Sequence, residues 1–183
     1  MKCTDYIKKG DTLYLKYHDE EWGRVHHNEH YLYEMFILEC FQSGLSWRTI
    51  LYKRSNFEKA YDNFDIEKIV KYDDKKINEL LNNKDIIRNK LKINASIKNS
   101  KVIKDLIKEY GSFDKYIWHF TNGKSIYVDI NITHNDLSDK VSKDLKKRGC
   151  SFVGTITIFS YLQAIGVINS HSKTCKVYKE LIC

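Results

Sequence analysis

The clearest pattern of apolar and polar positions lies in residues 32–47. Every residue from Met35 to Phe41 is apolar except Glu39. One helical face, at the i, i+3, i+4, i+7 spacing, carries Leu32, Met35, Phe36 and Glu39. The spacing predicts a helix whose single carboxylate shares a face with buried side chains. A buried carboxylate without a partner costs several kcal/mol or gives up its charge, so a chain keeps one there only with a partner or a use.

The residues after this helix predict a pocket. Gly44 is placed to end the helix, and Ser46 is placed to cap a second helix that begins at Trp47. This order brings an indole close to the Glu39 carboxylate. The spacing leaves one alternative open, which is a glutamate whose side chain reaches solvent or a neighbouring lysine.

Helical periods and capping residues predict further helices along the chain. With the first one, they cover residues 28–43, 46–54, 66–71, 74–82, 86–109, 113–120, 138–148 and 155–164. The predicted capping residues are Asp65, Asp73, Ser112 and Thr155, a capping box of Ser55 and Glu58, and the C-terminal glycines Gly111, Gly149 and Gly166. Residues 1–30 show no clean period, and an alternation at Val128, Ile130 and Ile132 is strand-like. Without prolines, repeats or linkers, the pattern predicts a compact all-α fold.

Composition narrows the class of protein. The 183 residues, 42% of them hydrophobic and 13% aromatic, suffice for one folded domain with a core. The net charge of +7 favours an anionic partner such as nucleic acid, although an Asn/Lys-rich composition also raises this charge. No apolar run reaches the roughly 20 residues that span a bilayer, and no signal peptide is present, so a cytoplasmic protein without a membrane partner is expected. Five cysteines disfavour a disulfide framework and leave metal binding open.

A tight turn at residues 82–85 predicts a place for a phosphate. Asn and Asp tolerate left-handed backbone conformations, and the turn joins two predicted helices. Backbone N–H groups of such a turn, and the positive end of the helix behind it, suit an anion. Arg88, Lys90 and Lys92 are placed to add charge. The alternative is an ordinary connection between helices with a solvated basic face.

Two residues near the C-terminus predict half of a metal site. His171 and Cys175 are four residues apart, so on a helical turn they point the same way, and both are suitable zinc ligands. Cys3 and His18 are the obvious source of two more ligands, which would join the two ends of the chain in a closed, structural site. The alternative is a set of free polar residues near the termini, and the thiols of residues 150 and 183 compete for the same role.

Aromatic residues near the N-terminus predict a cage for a cation. Tyr14, Tyr17 and Trp22 lie close together in the sequence, and Trp47 adds an indole beside Glu39. The faces of such rings attract cations, and a purine alkylated on a ring nitrogen is a cation while it is still joined to its sugar. The alternative is a plain aromatic core. No hydrolytic triad and no glycine-rich phosphate loop compete with this interpretation.

Seven segments of the chain match a known family in order. They are Y-H-D-E-E-W-G (17–23), E-C-F-Q-S-G-L-S-W (39–47), I-I-R-N-K-L-K-I (86–93), L-K-K-R-G (145–149), F-V-G (152–154), Q-A-I-G (163–166) and H-S-K-T-C (171–175). Together they resemble the bacterial 3-methyladenine DNA glycosylase I family. The resemblance implies an all-α helix-hairpin-helix DNA glycosylase fold with a zinc-binding annex formed by the N- and C-termini. It implies one glycosylase domain over residues 1–183, with the helix-hairpin-helix near 74–109 and the annex from 1–25 and 167–183.

The resemblance also implies a function. Such an enzyme is a DNA repair hydrolase that flips 3-methyladenine out of alkylated double-stranded DNA, hydrolyses its N-glycosidic bond, and leaves an abasic site and the free base. Flipping costs a few kcal/mol, less for a damaged pair. Alkylation at N3 makes the purine a charged leaving group, so a single pocket carboxylate suffices. No lysine is placed to form a Schiff base, so a monofunctional enzyme without strand cleavage is expected. The enzyme is also expected to be a monomer.

Carried over residue by residue, the resemblance assigns roles to the side chains. The catalytic residues are Glu39 and Tyr17, and Trp47 stacks on the flipped base with Tyr14 and Trp22 as further pocket aromatics. The ligands of a structural zinc ion are Cys3, His18, His171 and Cys175. From their positions in the predicted hairpin and turn, the residues expected to contact DNA are Ile86, Ile87, Arg88, Lys90, Gly44 and Leu45.

The chain departs from the family pattern at three places. The family usually shows Cys-x-Trp at its start, whereas residues 3–6 are C-T-D-Y here. The hairpin usually carries a glycine where this chain has Asp85, so a carboxylate is expected near a DNA phosphate. Cys40 and Phe41 occupy positions often filled by smaller or polar residues.

Other functions stay open from the sequence. One is a glycosylase of the same fold that acts on a different alkylpurine. Another is a non-catalytic module that binds alkylated DNA with steep salt dependence and releases nothing. A structural zinc protein without a DNA role is disfavoured by the ordered set of motifs.

Overall fold

The computed structural model describes residues 3–5 and 7–181, so Tyr6 and Cys183 lie outside the described chain. The described helices are α1 (Thr12–Glu20), α2 (Glu29–Gln42), α3 (Trp47–Leu51), α4 (Arg54–Ala60), α5 (Ile66–Ile69), α6 (Asp74–Asn82), α7 (Lys90–Tyr110), α8 (Phe113–Trp118), α9 (Asp136–Lys147), α10 (Thr155–Ala164) and α11 (Lys176–Leu181). Two short strands are β1 (Ile126–Tyr127) and β2 (Ile168–Asn169), and 3₁₀ turns lie at Asp62–Phe64 and His119–Thr121. The predominantly helical fold predicted from the sequence is confirmed.

Helix α2 forms the centre of the fold. Every residue from Leu32 to Phe41 is buried, which is typical of a helix enclosed on all sides. Helices α3, α7, α8 and α10 pack against it. The rings of Phe36, Phe113 and Tyr161 meet between α2, α8 and α10, with centroids 5.4 to 6.4 Å apart. This packing fixes α2 in the centre of the fold, and with it the position of the Glu39 side chain.

Several helix boundaries lie where the capping residues predict them. Four helices begin after a residue whose side chain accepts a hydrogen bond from a backbone N–H of the first turn. These capping residues are Ser46, Asp65, Asp73 and Ser112. Gly111 ends α7 with a φ of +88°. Gly149 follows α9 with a φ of +102°, a conformation that glycine adopts without steric cost.

Two predicted caps are wrong. Ser55 lies inside α4, which begins at Arg54 and has no side-chain cap. Thr155 is the first residue of α10 rather than its cap, and its hydroxyl donates to Asp139 of α9. In both cases the first residue of the helix makes a side-chain contact with another helix, since Arg54 also donates to Glu34 of α2. A local sequence pattern does not reveal such partners.

Helix α1 lies in a segment where the sequence predicts none. Asp11 begins the helix by accepting a hydrogen bond from the backbone N–H of Tyr14 at 3.1 Å. Only Tyr17 and His18 of this helix are buried. A buried stripe of two residues is too narrow to give a helical period in the sequence.

The connection between α6 and α7 is longer than predicted. Asn89 accepts a hydrogen bond from the backbone N–H of Lys92, so α7 begins at Lys90. Residues 86–88 therefore lie in the connection and not in the helix. The predicted tight turn is present, because the side chain of Asn83 accepts a hydrogen bond from the backbone N–H of Asp85 at 2.9 Å.

The two strands pair in parallel, with Ile126 opposite Ile168. The predicted strand-like alternation at Val128, Ile130 and Ile132 begins two residues after the start of β1. Of these three residues, only Val128 takes part in the pairing, because its N–H donates to the carbonyl of Asn169. This pairing fixes the segment that leads to the C-terminal candidate ligands. None of the helices in the described chain is both long and apolar enough to cross a bilayer.

Candidate functional site

A cavity of about 150 Å³ opens to solvent between α1, α2, α3 and α10. Its lining residues are Tyr14, Tyr17, His18, Trp22, Glu39, Gln42, Trp47, Ser160 and Gln163. Closed protein cavities of about 150 Å³ hold a molecule the size of benzene. Because this cavity is open on one side and has aromatic walls, its shape suits a flat ring system somewhat larger than benzene.

Glu39 forms the acidic wall of the cavity. It is 3% exposed, so the burial predicted from its helical spacing is confirmed. Its Oε2 atom has no hydrogen-bond partner within the described residues. Burial raises the pKa of this carboxyl well above its usual range, because desolvation disfavours the charged form. A cation that entered the cavity would favour the carboxylate and lower that pKa again.

Trp47 forms the wall beside Glu39, where its place after Ser46 predicts it. It is the first residue of α3, and the hydroxyl of Ser46 accepts a hydrogen bond from the N–H of Thr49. The indole is 8% exposed, and its Nε1 is buried without a partner in the described chain. A buried indole N–H usually has an acceptor. Trp47 also lines the cavity, so this N–H is a candidate donor to a ligand.

Helix α1 supplies the remaining aromatic wall. The ring of Tyr17 lies 5.1 Å from that of Trp47 and 6.3 Å from that of Tyr14, measured between centroids. Burial, and then the nearby Glu39, raise the pKa of Tyr14 to about 12, so its phenol is neutral at physiological pH. Trp22, just after the helix, completes the wall. The four rings predicted to form a cage therefore line one cavity, although their role in binding a cation stays a prediction.

Three polar residues of the cavity were not predicted from the sequence. Gln42 lies one helical turn after Glu39, and Ser160 and Gln163 face the cavity from α10. A signal for the second pair exists, because Ser160 and Gln163 are three positions apart in the mostly apolar second half of the helix. Each can donate or accept a hydrogen bond. They give the cavity polar groups opposite the aromatic rings.

A cluster of four candidate metal ligands joins the two ends of the described chain. Its members are Cys3, His18, His171 and Cys175, whose ligand atoms lie within 4.8 Å of one another. The Sγ of Cys175 is 3.7 Å from the Nδ1 of His171, and ligands of a tetrahedral ion bound at about 2.0–2.3 Å lie roughly 3.3–3.8 Å apart. The predicted convergence of the four side chains is confirmed.

The positions of the last two ligands differ from the prediction. His171 and Cys175 were expected on one helical turn, but α11 begins only at Lys176. A turn in which the N–H of Cys175 donates to the carbonyl of Ser172 brings them together instead. The competing thiol of Cys150 is buried elsewhere, since it lies in the loop between α9 and α10.

The surroundings of this cluster fit a metal ion. The Nε2 of His171 lies 2.8 Å from the carbonyl oxygen of Trp22, which leaves Nδ1 facing the cluster. The Nδ1 of His18 lies 2.9 Å from Asp19, and its Nε2 is buried without a partner among the described residues. Burial opposes ionisation of Cys3, but hydrogen bonds from His171 and His18 lower the pKa of its thiol to about 4. Burial instead raises the pKa of the Cys175 thiol, so the fit to a metal rests on the placement of the four ligand atoms and the two oriented imidazoles.

The turn between α2 and α3 lies at the rim of the cavity. Gly44 has a φ of +77°, and Leu45 is 40% exposed. The buried Nζ of Lys92 donates to the carbonyl oxygens of Phe41 and Ser43 at 2.7 and 2.5 Å. A cation at this end is favourable because the last carbonyls of a helix carry negative partial charge. Lys92 therefore holds the turn in place from the core side. The side chain of Leu45, in the same turn, is partly exposed to solvent.

The predicted hairpin residues differ in exposure. Arg88 and Lys90 are exposed, and Ile87 is half-buried. Ile86 is 3% exposed, so its side chain belongs to the core and only its backbone can face a ligand. Asp85 is exposed, and its carbonyl accepts a hydrogen bond from Lys53 at 2.9 Å.

A helical fold with a carboxylate among aromatic rings, in a cavity of this size, is an arrangement that suits a flat cationic ring. The family model described as methyladenine glycosylase matches residues 6–179. The DNA-3-methyladenine glycosylase of Haemophilus influenzae is 36% identical over 169 residues, covering 90% of this chain and 91% of its own.

Solved structures agree with the sequence comparison. A crystal structure of a 3-methyladenine DNA glycosylase I has a TM-score of 0.90 and 36% identity, covering 96% of this chain and 98% of its own. A variant of such an enzyme in complex with 3-methyladenine has a TM-score of 0.88 and 33% identity, covering 92% and 93%. The chain belongs to the methyladenine glycosylase family.

Proposed function

We propose that this protein is a DNA repair glycosylase that removes 3-methyladenine from alkylated DNA by hydrolysing its N-glycosidic bond, leaving an abasic site. The observation that carries the proposal is the buried, unpartnered Oε2 of Glu39 in a cavity lined by aromatic rings. Family membership supports the same reaction, since the relatives are DNA-3-methyladenine glycosylases.

The cavity selects a cationic purine by electrostatics. Glu39 and the ring faces of Tyr17 and Trp47 attract positive charge, and the unpartnered Nε1 of Trp47 offers one donor. A purine methylated at N3 carries that charge while it is bonded to the sugar. Because the charge makes the base a better leaving group, the N-glycosidic bond is already weak. Glu39 accepts hydrogen bonds from the edge of the flipped base, and water captures the sugar cation. An unmodified adenine brings no charge to offset the desolvation of the carboxylate.

The reaction ends without strand cleavage. None of the described residues that line the cavity is a lysine. Lys92 is the one buried lysine of the described residues, and its amine donates to two backbone carbonyl oxygens. It is therefore not free to form a Schiff base with the sugar. The enzyme acts as a monofunctional hydrolase.

Base release from methylated DNA tests this function. The purified protein is incubated with methylated duplex DNA, and the freed base is identified by chromatography. Wild-type protein is expected to release 3-methyladenine, and Trp47→Ala to lose release. Release of 7-methylguanine or hypoxanthine instead would mean a different alkylpurine specificity. Binding of methylated DNA with no release would mean a non-catalytic module.

Two further assignments concern DNA binding and the domain. Residues 74–109 act as the helix-hairpin-helix that binds a phosphate, with Arg88 and Lys90 exposed beside the turn, while Gly44 and Leu45 enter the duplex. Residues 1–183 form one domain that acts as a monomer.

Replacing Arg88 by Gln is expected to reduce the salt dependence of DNA binding by about one charge. An unchanged salt slope would contradict the phosphate contact.

The four-ligand cluster holds one structural zinc ion in an annex of residues 1–25 and 167–183. Two thiols and two imidazoles complete a tetrahedral shell, with no position left for water. When bound, zinc contributes stability by joining the chain ends. Mass spectrometry is expected to find one zinc per chain, lost in Cys175→Ser and retained in Cys150→Ser, which removes a buried thiol outside the cluster. Equal zinc content in both variants would contradict the assignment.

A further inference from the structure

Asp11 makes contacts that go beyond capping α1. Its side chain is 1% exposed, while that of its partner Arg48 is 42% exposed. The Nε of Arg48 donates to Oδ2 of Asp11 at 2.6 Å, and the hydroxyl of Tyr52 donates to Oδ1 at 2.8 Å. The guanidinium carbon of Arg48 lies 4.5 Å from the centroid of the Tyr52 ring. These three residues, Asp11, Arg48 and Tyr52, are called the clasp below.

The carboxylate of the clasp is ionised at physiological pH. Burial acts to raise the pKa of Asp11, but the hydrogen bonds from Arg48 and Tyr52 outweigh burial and hold that pKa below its usual range. The guanidinium is oriented by two partners at once. The contact is therefore a charge-assisted hydrogen bond of defined geometry, which is stronger and more directional than a pair of solvated charges.

The clasp joins the two helices that carry the aromatic walls of the cavity. Asp11 begins α1, which bears Tyr14 and Tyr17. Arg48 directly follows Trp47 in α3. The rings of Tyr17 and Trp47 are 5.1 Å apart between centroids, so a small displacement of either helix changes the space between them.

Each helix has buried residues of its own, and α3 packs on α2, but α1 and α3 are not among the helix pairs of the described chain that pack closely against each other. Helix α3 has five residues, too few to be stable without tertiary contacts. Trp47 has no hydrogen bond from its Nε1 in the described chain, so the indole is held by packing alone. No other described helix packs closely along α1. The orientation of the cavity walls therefore depends on side-chain contacts such as the clasp.

We propose that Asp11 is a positioning residue for base binding, which fixes α1 against α3 through Arg48 and Tyr52 and so sets the spacing of Tyr17 and Trp47. The inference rests on the proposed function, because the base is the ligand whose fit the spacing decides. Asp11 does not touch the base and is not a catalytic residue. Its effect is carried by the two rings that it holds in place.

Two substitutions separate the clasp from the helix cap. Asp11→Asn keeps a side-chain oxygen to accept from the N–H of Tyr14 but loses the charge. Arg48→Met removes the donor and keeps most of the side-chain volume. Arg48→Lys restores the charge without the planar donor geometry. Tyr72→Phe is the matched control, because the hydroxyl of Tyr72 donates to Asp62 at 2.7 Å in a tyrosine–carboxylate pair that does not line the cavity.

The measurement is the affinity for free 3-methyladenine, followed by tryptophan fluorescence, beside the melting temperature of each variant. Asp11→Asn and Arg48→Met are expected to bind the base about 10-fold to 100-fold more weakly than wild type, because a displacement of about 1 Å costs up to 100-fold at a site that needs precise geometry. Arg48→Lys is expected to recover part of the affinity. Tyr72→Phe is expected to bind as wild type does, even if it melts at a lower temperature.

The outcomes separate the two proposals. If wild-type protein neither binds nor releases 3-methyladenine, the proposed function fails. If wild type is active and folded Arg48→Met binds the base with unchanged affinity, the positioning role of the clasp is wrong. Loss of affinity in the same proportion in Tyr72→Phe would also overturn it, since general destabilisation would then explain the effect. Because Arg48 is partly exposed, its variants test the proposal even if Asp11→Asn fails to fold.

Discussion

Two carboxylates on α2, five residues apart, show how one helix serves both stability and binding. Glu34 is 8% exposed and Glu39 is 3% exposed. Arg54 donates to both oxygens of Glu34, at 2.7 and 3.1 Å, and also to Glu21. Oε2 of Glu39 has no such partner among residues 3–5 and 7–181. Burial with a fixed cation is a structural arrangement, whereas burial beside an open cavity leaves the carboxyl group of Glu39 to pair with a cationic ligand.

The comparison is tested most strongly by removing each charge in turn. Glu39→Gln is expected to lower base release by about 100-fold to 1000-fold, the effect of removing one preorganised electrostatic group. Glu34→Gln is the matched control, with release close to wild type in protein that remains folded. Single-turnover release from methylated DNA measures both. Equal losses in the two variants would show that α2 is needed only as a support.

The second test removes the cation and not the carboxylate. Arg54→Met leaves Glu34 buried without its partner, so the free energy of unfolding is expected to fall by about 3 kcal/mol. The affinity of folded protein for 3-methyladenine is expected to change little. Urea unfolding, with the base titrated separately, measures the two quantities. A stability equal to wild type would mean that Glu34 finds another partner.

The third test uses pH. The pKa of Glu39 is raised in the folded protein above its usual 4.5, so the folded state keeps a proton that the unfolded state loses. The stability due to this group is fully present below pH 4.5 and is lost as the pH rises toward the folded pKa. The free energy of unfolding of Glu39→Gln is therefore expected to rise relative to wild type by about 1.4 kcal/mol for each pH unit between 4.5 and the folded pKa of Glu39, and to stay constant above it. A difference that does not vary with pH would contradict the raised pKa.

The sequence predicts best where one helix decides the outcome. The burial of Glu39 follows from its spacing within α2, and the place of Trp47 follows from the capping residue before it. The resemblance of seven segments to a known family supplied what spacing alone left open, including the choice of the four candidate ligands. The roles of individual site residues, the zinc ion and the hairpin stay predictions until the experiments above are done.

The sequence predicts less where tertiary contacts decide. Helix α1 was missed because it buries only Tyr17 and His18, and its start depends on Asp11, which is held from α3. The extent of the α6–α7 connection depends on Ile86, which is drawn into the core. The spacing of Ser160 and Gln163 places them on one face of α10, but only the packing of α10 against α2 brings that face to the cavity.

Gly23 shows how little room separates the cavity from the ligand cluster. A Cβ atom at this position would lie 2.9 Å from Cδ2 of the His171 ring, and the backbone φ is +73°. The preceding residue, Trp22, supplies both a cavity wall and the carbonyl that orients His171. A single added methyl group would therefore disturb two sites at once, so any laboratory redesign of base preference should begin at Gln42 or Ser160 and leave this position as it is.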